Sequence, residues 1–120
     1  MPSERQEIER RRQELSQQLR TLSLEPLMRG SIYERRRRCG RPICACAKTP
    51  KARHPSKFLT VFLAGRTRGF HLRADDEERV QKAIAAYHRL WKIINDLTAC
   101  EVAELRRQVR ERQRGGKKPT

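Results

Sequence analysis

Three cysteines and a histidine stand within sixteen residues at the spacing C-x4-C-x-C-x7-H: Cys39, Cys44, Cys46 and His54. Zinc takes four tetrahedral nitrogen or sulfur ligands, and three thiolates with one imidazole are a common structural set. Cys39-Gly40 and the Pro42 turn have the form of a knuckle, in which the glycine lets backbone amides approach a thiolate. The single residue between Cys44 and Cys46 is tighter than the usual two to four. The fourth ligand position stays open between His54, His71 and a water. His88, on a polar-rich helix, reads as solvent-facing, and Cys100, beside an apolar stripe, reads as a packing residue. A redox role is disfavoured, because neither C-x-x-C nor a thioredoxin-like βαβ pattern is present.

The second chemical feature is the run Arg35, Arg36, Arg37, Arg38 directly in front of the first cysteine. Arg41, Lys48, Lys51 and Arg53 follow within the cysteine segment, and Lys57, Arg66 and Arg68 within the next. Arg29 and Arg73 complete the set, and Glu34 alone offsets it. The chain carries 29 Lys plus Arg against 14 Asp plus Glu, net +15. Residues 1–28 are net 0, residues 29–73 net +12 and residues 74–120 net +3, so the excess lies with the thiols. Like charge at this density is unfavourable on a small folded unit unless a polyanion neutralises it. Guanidinium forks suit phosphate oxygens, and release of counterions makes such binding steeply salt-dependent. Phosphate contacts carry no base identity, so sequence-specific readout is not implied. Tyr33, Phe58, Phe62 and Phe70 could stack on bases, although for each phenylalanine a place in a small core is the simpler expectation.

The elements that must position these groups follow from periodicity. Residues 3–22 read as a helix with a narrow apolar seam of Ile8, Leu15, Leu19 and Leu22, in which Arg5 and Arg12 take two further places. Ser23-Leu24-Glu25-Pro26 ends it. Residues 57–73 read as a β-hairpin turning at Gly65, with Arg66, Arg68, Phe70 and Leu72 on one face of its second strand and Thr67, Gly69 and His71 on the other. Ser31 to about Arg37 is a candidate third strand. In Ala74-Asp75-Asp76-Glu77-Glu78, Asp75 is read as the helix cap with Glu78 completing a capping box. A long helix follows to about Arg112, its stripe marked by Val80, Ile84, Tyr87, Trp91, Ile94, Leu97, Val102, Leu105 and Val109. Its far half must pack on the first helix, on a second copy, or on both.

These elements compose an α+β protein with four segments. Residues 1–28 are an N-terminal helix and linker, 29–73 a basic Cys-rich β unit, 74–112 the long helix in a coiled-coil-like pair or dimer, and 113–120 a disordered basic tail. No run approaches the roughly 18 apolar residues of a membrane span, and the start has no signal-peptide h-region. The expectation is a soluble cytoplasmic protein. A reducing compartment argues against a Cys39–Cys44 disulfide. Glu34 is the one carboxylate of the middle segment, and no phosphate-binding glycine loop or serine nucleophile elbow occurs, so the sequence points away from an enzyme.

The run GSIYERRRRCGRPICACA, followed by a histidine, a hairpin containing GRTR and a long helix with Tyr87, resembles a prokaryotic family of small uncharacterised proteins often encoded near transposases. Gly30, Ser31, Tyr33, Arg35, Cys39, Gly40, Cys44 and Cys46 match its motif residue by residue over a resemblance spanning about residues 28–98. The family pattern has H-G-P-Y where this chain has His54-Pro55-Ser56-Lys57. The resemblance implies an architecture and a mobile-element setting, with no biochemical activity to inherit. The functional expectation is non-enzymatic nucleic-acid binding, DNA ahead of RNA, by a zinc-stabilised arginine-rich unit in a homodimer joined through its helices. The alternative is a coiled-coil adaptor for a protein partner such as a transposase.

Overall fold

The computed structural model describes residues 2–116. In chain order it contains α1 (Glu4–Leu22), β1 (Gly30–Arg37), two single-turn 3-10 helices at Ala45–Ala47 and Pro50–Ala52, β2 (His54–Leu63), β3 (Arg66–Leu72) and α2 (Ala74–Gly116). Leu27–Tyr87 forms one compact unit, and α1 with the later part of α2 forms the other. The α+β reading holds in each part: an N-terminal helix, a three-stranded antiparallel sheet, a Cys/His cluster and a long C-terminal helix.

The sheet has order β1-β2-β3, and its register pairs Tyr33 with Phe58 and Phe58 with His71. Ala64 and Gly65 both take positive φ, 50° and 79°, which is the two-residue turn whose twist matches that of a hairpin. Alternation then sends Ile32, Leu59, Val61 and Leu72 to one face. There Leu59, Val61, Leu72 and Val80 of α2 form the core, with Met28, Ile32 and Ile84 packed against it. Gly30 is required by close approach, since a Cβ there would lie 2.6 Å from the Thr60 carbonyl oxygen. The phenylalanines do not join this core. Phe62 is 44% exposed and Phe70 48%, because Phe62 falls on the opposite face and Phe70 on an edge strand.

In the other unit, α1 opens on a capping box in which Ser3 and Gln6 exchange side-chain and backbone hydrogen bonds of 3.0 and 3.2 Å. It runs antiparallel to the later part of α2. Glu25 pairs with Arg89, Arg11 with Asp96, Arg12 with Glu101 and Glu4 with Arg110, so positions rise on one helix as they fall on the other. Leu15 and Leu22 are buried on α1, as are Ile93 and Cys100 on α2. The face of α2 turned inward is therefore not the stripe expected from its largest apolar residues. Trp91, Ile94, Val102 and Leu105 stay exposed. Cys100 is a packing residue, as expected.

Two helix ends also differ from expectation. Asp75 lies within the first turn of α2, where it complements the helix dipole together with Asp76 and Glu77, and does not precede it as a cap. The helix continues to Gly116, and the rest of the expected basic tail, residues 117–120, lies outside the described residues.

Arg107 donates to both carboxylate oxygens of Glu104, at 2.7 and 3.0 Å, and to Glu111 at 2.9 Å. The hydrogen bonds and charge of Arg107 hold the Glu104 carboxyl down to about 2, with further help from Gln108 and from the charge of Arg5 on α1. A carboxylate with a depressed folded value stabilises the fold above its unfolded value, and that contribution fades between about pH 4.5 and 2. Glu104→Gln is expected to melt below the native protein at pH 6, with the gap closing as pH falls toward 2. Thermal unfolding followed by circular dichroism across that range checks it.

Candidate metal centre

Cys39 stands two residues beyond the end of β1, and His54 is the first residue of β2, paired in register with Arg37. The connection between them, Arg38 to Arg53, folds back so that the far end of the sheet ladder becomes the site. Local rules account for its path. Gly40 takes φ +85°, a conformation that side chains disfavour. Pro42 then leads a turn closed by the Cys44 amide donating to the Arg41 carbonyl at 3.2 Å. Cys44 and Cys46 sit on either side of the start of the 3-10 helix Ala45–Ala47, which turns both sulfurs inward.

The three Sγ atoms and one imidazole nitrogen of Cys39, Cys44, Cys46 and His54 all lie within 4.8 Å of one another. Cys44 Sγ is 3.3 Å from His54 Nε2, and Cys46 Sγ is 3.5 Å from Cys39 Sγ. A tetrahedral ion with bonds of about 2.3 Å to sulfur and about 2.0 Å to nitrogen spaces its ligand atoms roughly 3.5–3.8 Å apart. The two short separations fall near that spacing, and the four groups could hold a metal ion. All four cysteines of the chain are free thiols. His54 is the histidine that lies with the three sulfurs, whereas His71 stands edge-on to the Phe58 ring, 5.5 Å between centroids.

The surroundings act on Cys44 and Cys46 in opposite directions. The Cys39 amide donates to Cys46 Sγ at 3.3 Å. The Cys44 thiol is held below its ordinary value, chiefly by a backbone hydrogen bond at Cys46 and then by the Cys46 and Cys39 side chains. At Cys46 the Cys39 amide also acts downward, but burial and the neighbouring thiols outweigh it and push that group up. Cys46 is only 1% exposed, and a fully buried thiol has its ionisation opposed unless a cation accompanies it.

The basic residues divide by location. Arg38, Arg41, Lys48 and Lys51 lie exposed in the metal loop, while Arg53 is half-buried with its Nε shielded. Arg35 and Arg37 share one face of β1 with Tyr33, and their guanidinium groups lie 5.8 and 5.6 Å from the Phe58 ring centroid. Arg36, Lys57, Arg66 and Arg68 fall on the opposite, core-bearing face by alternation. Lys57 is taken up by an ion pair with Glu77. The expected arginine surface is thus split across two faces and a loop. Arg29, outside the expected site, joins the first group by stacking 4.7 Å over Phe62. Parity along β1 was the signal for that division, and it needed the register of β2 to be read.

Among the described residues, no helix is long and apolar enough to cross a membrane. A family model described as Domain of unknown function (DUF6788) matches residues 5–82. No curated protein and no solved structure matches the chain.

The purified protein is expected to take up one equivalent of zinc, and none after joint replacement of Cys39, Cys44 and Cys46 by Ser. Disturbing the outer shell of a metal site costs roughly 10–100-fold, so losing a ligand in His54→Ala should cost about 100-fold or more, whereas His71→Ala should cost nothing. Because the thiols must give up protons to bind, affinity should fall as pH falls. Competition titration against a chelator measures all three.

Proposed function

The chain belongs to the DUF6788 family, which carries no assigned function, and we propose that it is a non-enzymatic nucleic-acid-binding protein whose Cys3His site holds zinc. The observation that carries this reading is the coincidence of the net +12 segment with the Cys3His cluster. Zinc closes the loop and so presents Arg38, Arg41, Lys48 and Lys51 at fixed places beside the arginines of β1. Free lysines and arginines on a flexible segment would lose more entropy on binding a phosphate chain than a closed loop does. An accessory role beside a mobile element is part of this proposal and rests on the motif from Gly30 to Cys46.

If at least four phosphates are neutralised, the logarithm of affinity should fall against the logarithm of salt with a slope of about −3 or steeper. Binding that is flat with salt, or absent at 50 mM salt, would overturn the reading and leave the helices as the working surface for a protein partner. Replacing Arg38 and Arg41 together by Gln should shallow the slope by about 2. Fluorescence anisotropy with labelled oligonucleotides across a salt series measures it.

The helices supply a homodimer in this proposal. Trp91, Ile94, Val102 and Leu105 stay exposed, Trp91 at 55% and Leu105 at 56%, and with Thr98 between them they follow the three-and-four spacing of a helix-pairing seam. A second copy offers the matching stripe, and two basic units on one particle raise avidity for a polyanion. The double variant Trp91→Glu, Leu105→Glu is expected to halve the mass measured by light scattering while retaining bound zinc.

A further inference from the structure

The sheet has a second face that the core does not use. Its rows, read across the strands, are Tyr33–Phe58–His71, then Ser31–Thr60–Gly69, then Arg29–Phe62–Thr67. Tyr33 stacks on Phe58 with ring centroids 5.6 Å apart and planes 20° from parallel. Tyr33 is nevertheless 38% exposed and Phe62 44%. Two aromatic rows thus flank a floor of small residues, and cations edge both, with Arg35 and Arg37 beside Phe58 and Arg29 over Phe62.

Gly69 in the middle of this floor is not explained by the fold. Its φ lies outside the left-handed region, a Cβ would meet only the Tyr33 hydroxyl at an ordinary 3.7 Å, and the pairing of β2 with β3 runs without a bulge. A strand-interior glycine weakens a sheet, and without a bulge or bend it often marks a place where a ligand or another backbone comes close; no other backbone lies within 4 Å of a Cβ here.

We infer that this face binds single-stranded nucleic acid, with unstacked bases lying on Tyr33 and Phe62 and over the bare backbone at Gly69, and with Arg29, Arg35 and Arg37 holding the phosphates. The inference rests on the nucleic-acid reading above and deepens it. Base–aromatic stacking needs a free π-face, which a single strand offers at every base and a duplex only at its ends. The aromatic rows stand about 13 Å apart, four residues along a strand, so the platform takes a short run of nucleotides and not one isolated base. Acidic peptides are a poorer match, because carboxylates would use the arginines and leave the exposed rings and the glycine floor without a role.

The test uses the full-length zinc-loaded protein with oligo-dT, oligo-U and a duplex of equal length at low salt. Single strands of either sugar are expected to bind at least about tenfold more tightly than duplex. Tyr33→Ala and Phe62→Ala should each weaken single-strand binding roughly 5- to 150-fold, the range of a lost stacked base, with duplex binding little changed. Gly69→Val separates function from folding. Glycine is depleted and valine enriched in strands, and a Cβ here makes only an ordinary 3.7 Å contact with the Tyr33 hydroxyl, so an unchanged or raised melting temperature with lost single-strand binding is the expected pair of results. Should a ring variant fail to retain zinc, ultraviolet cross-linking of the native protein to oligo-dT should place adducts at Tyr33 or Phe62. Equal affinity for duplex and single strand, with all three variants neutral, would overturn this inference and leave the broader reading standing. No binding to any of the three nucleic acids would overturn both.

Discussion

The structure of the sheet unit depends on closing one long, strongly basic connection. Arg38 to Arg53 carries no acidic residue, and its charges repel one another. The buried core beneath the sheet is four side chains, Leu59, Val61, Leu72 and Val80, which is a small store of apolar burial against the entropy of ordering such a loop. A metal ion held by the sulfurs and imidazole would supply what the core lacks. Cys39 lies just past β1 and His54 opens β2, so a cation held there would tie the two strands at the end of their ladder. It also adds positive charge only to the extent that thiolates do not cancel it, and three thiolates against a divalent ion leave the site itself net negative amid arginines.

Strand alternation divides the sheet into two faces. Alternation gives one face Ile32, Leu59, Val61 and Leu72, which pack with α2, and the other Tyr33, Phe58, Phe62 and His71. The second face keeps its rings partly exposed and stacked with guanidinium groups, an arrangement in which each cation gains from the ring quadrupole while its donors remain turned to solvent. A shift of one residue in the β1–β2 register would exchange the faces. The Gly30 approach to the Thr60 carbonyl, which no larger residue allows, opposes such a shift from the end of β1.

The helical unit obeys a different constraint. Its apolar seam is too narrow to hold two helices by burial alone, and the pairing is directed by ions placed along it, from Glu25–Arg89 to Glu4–Arg110. Most of these are exposed pairs and contribute little each. Together they follow the antiparallel course of the two helices.

The sequence by itself determined the element order, the hairpin turn at Ala64-Gly65, the sides taken by Thr67, Gly69 and His71, and the three thiols of the cluster. These are local matters, set by backbone preference, by the period of two in strands and by the ligand chemistry of sulfur. It also bounded the charge and placed it. What only the tertiary structure decided was which histidine joins the sulfurs, since His54 and His71 are equally available to a metal until the β1–β2 register sets His54 opposite Arg37. The same holds for Phe62, which read as core and fell by register on the outer face. It holds too for the later part of α2, where Ile93 and Cys100 turned inward and the larger Trp91 and Leu105 outward. In each case two faces of similar apolar content competed, and the choice between them belonged to a partner strand or helix distant in sequence, where no local preference reaches.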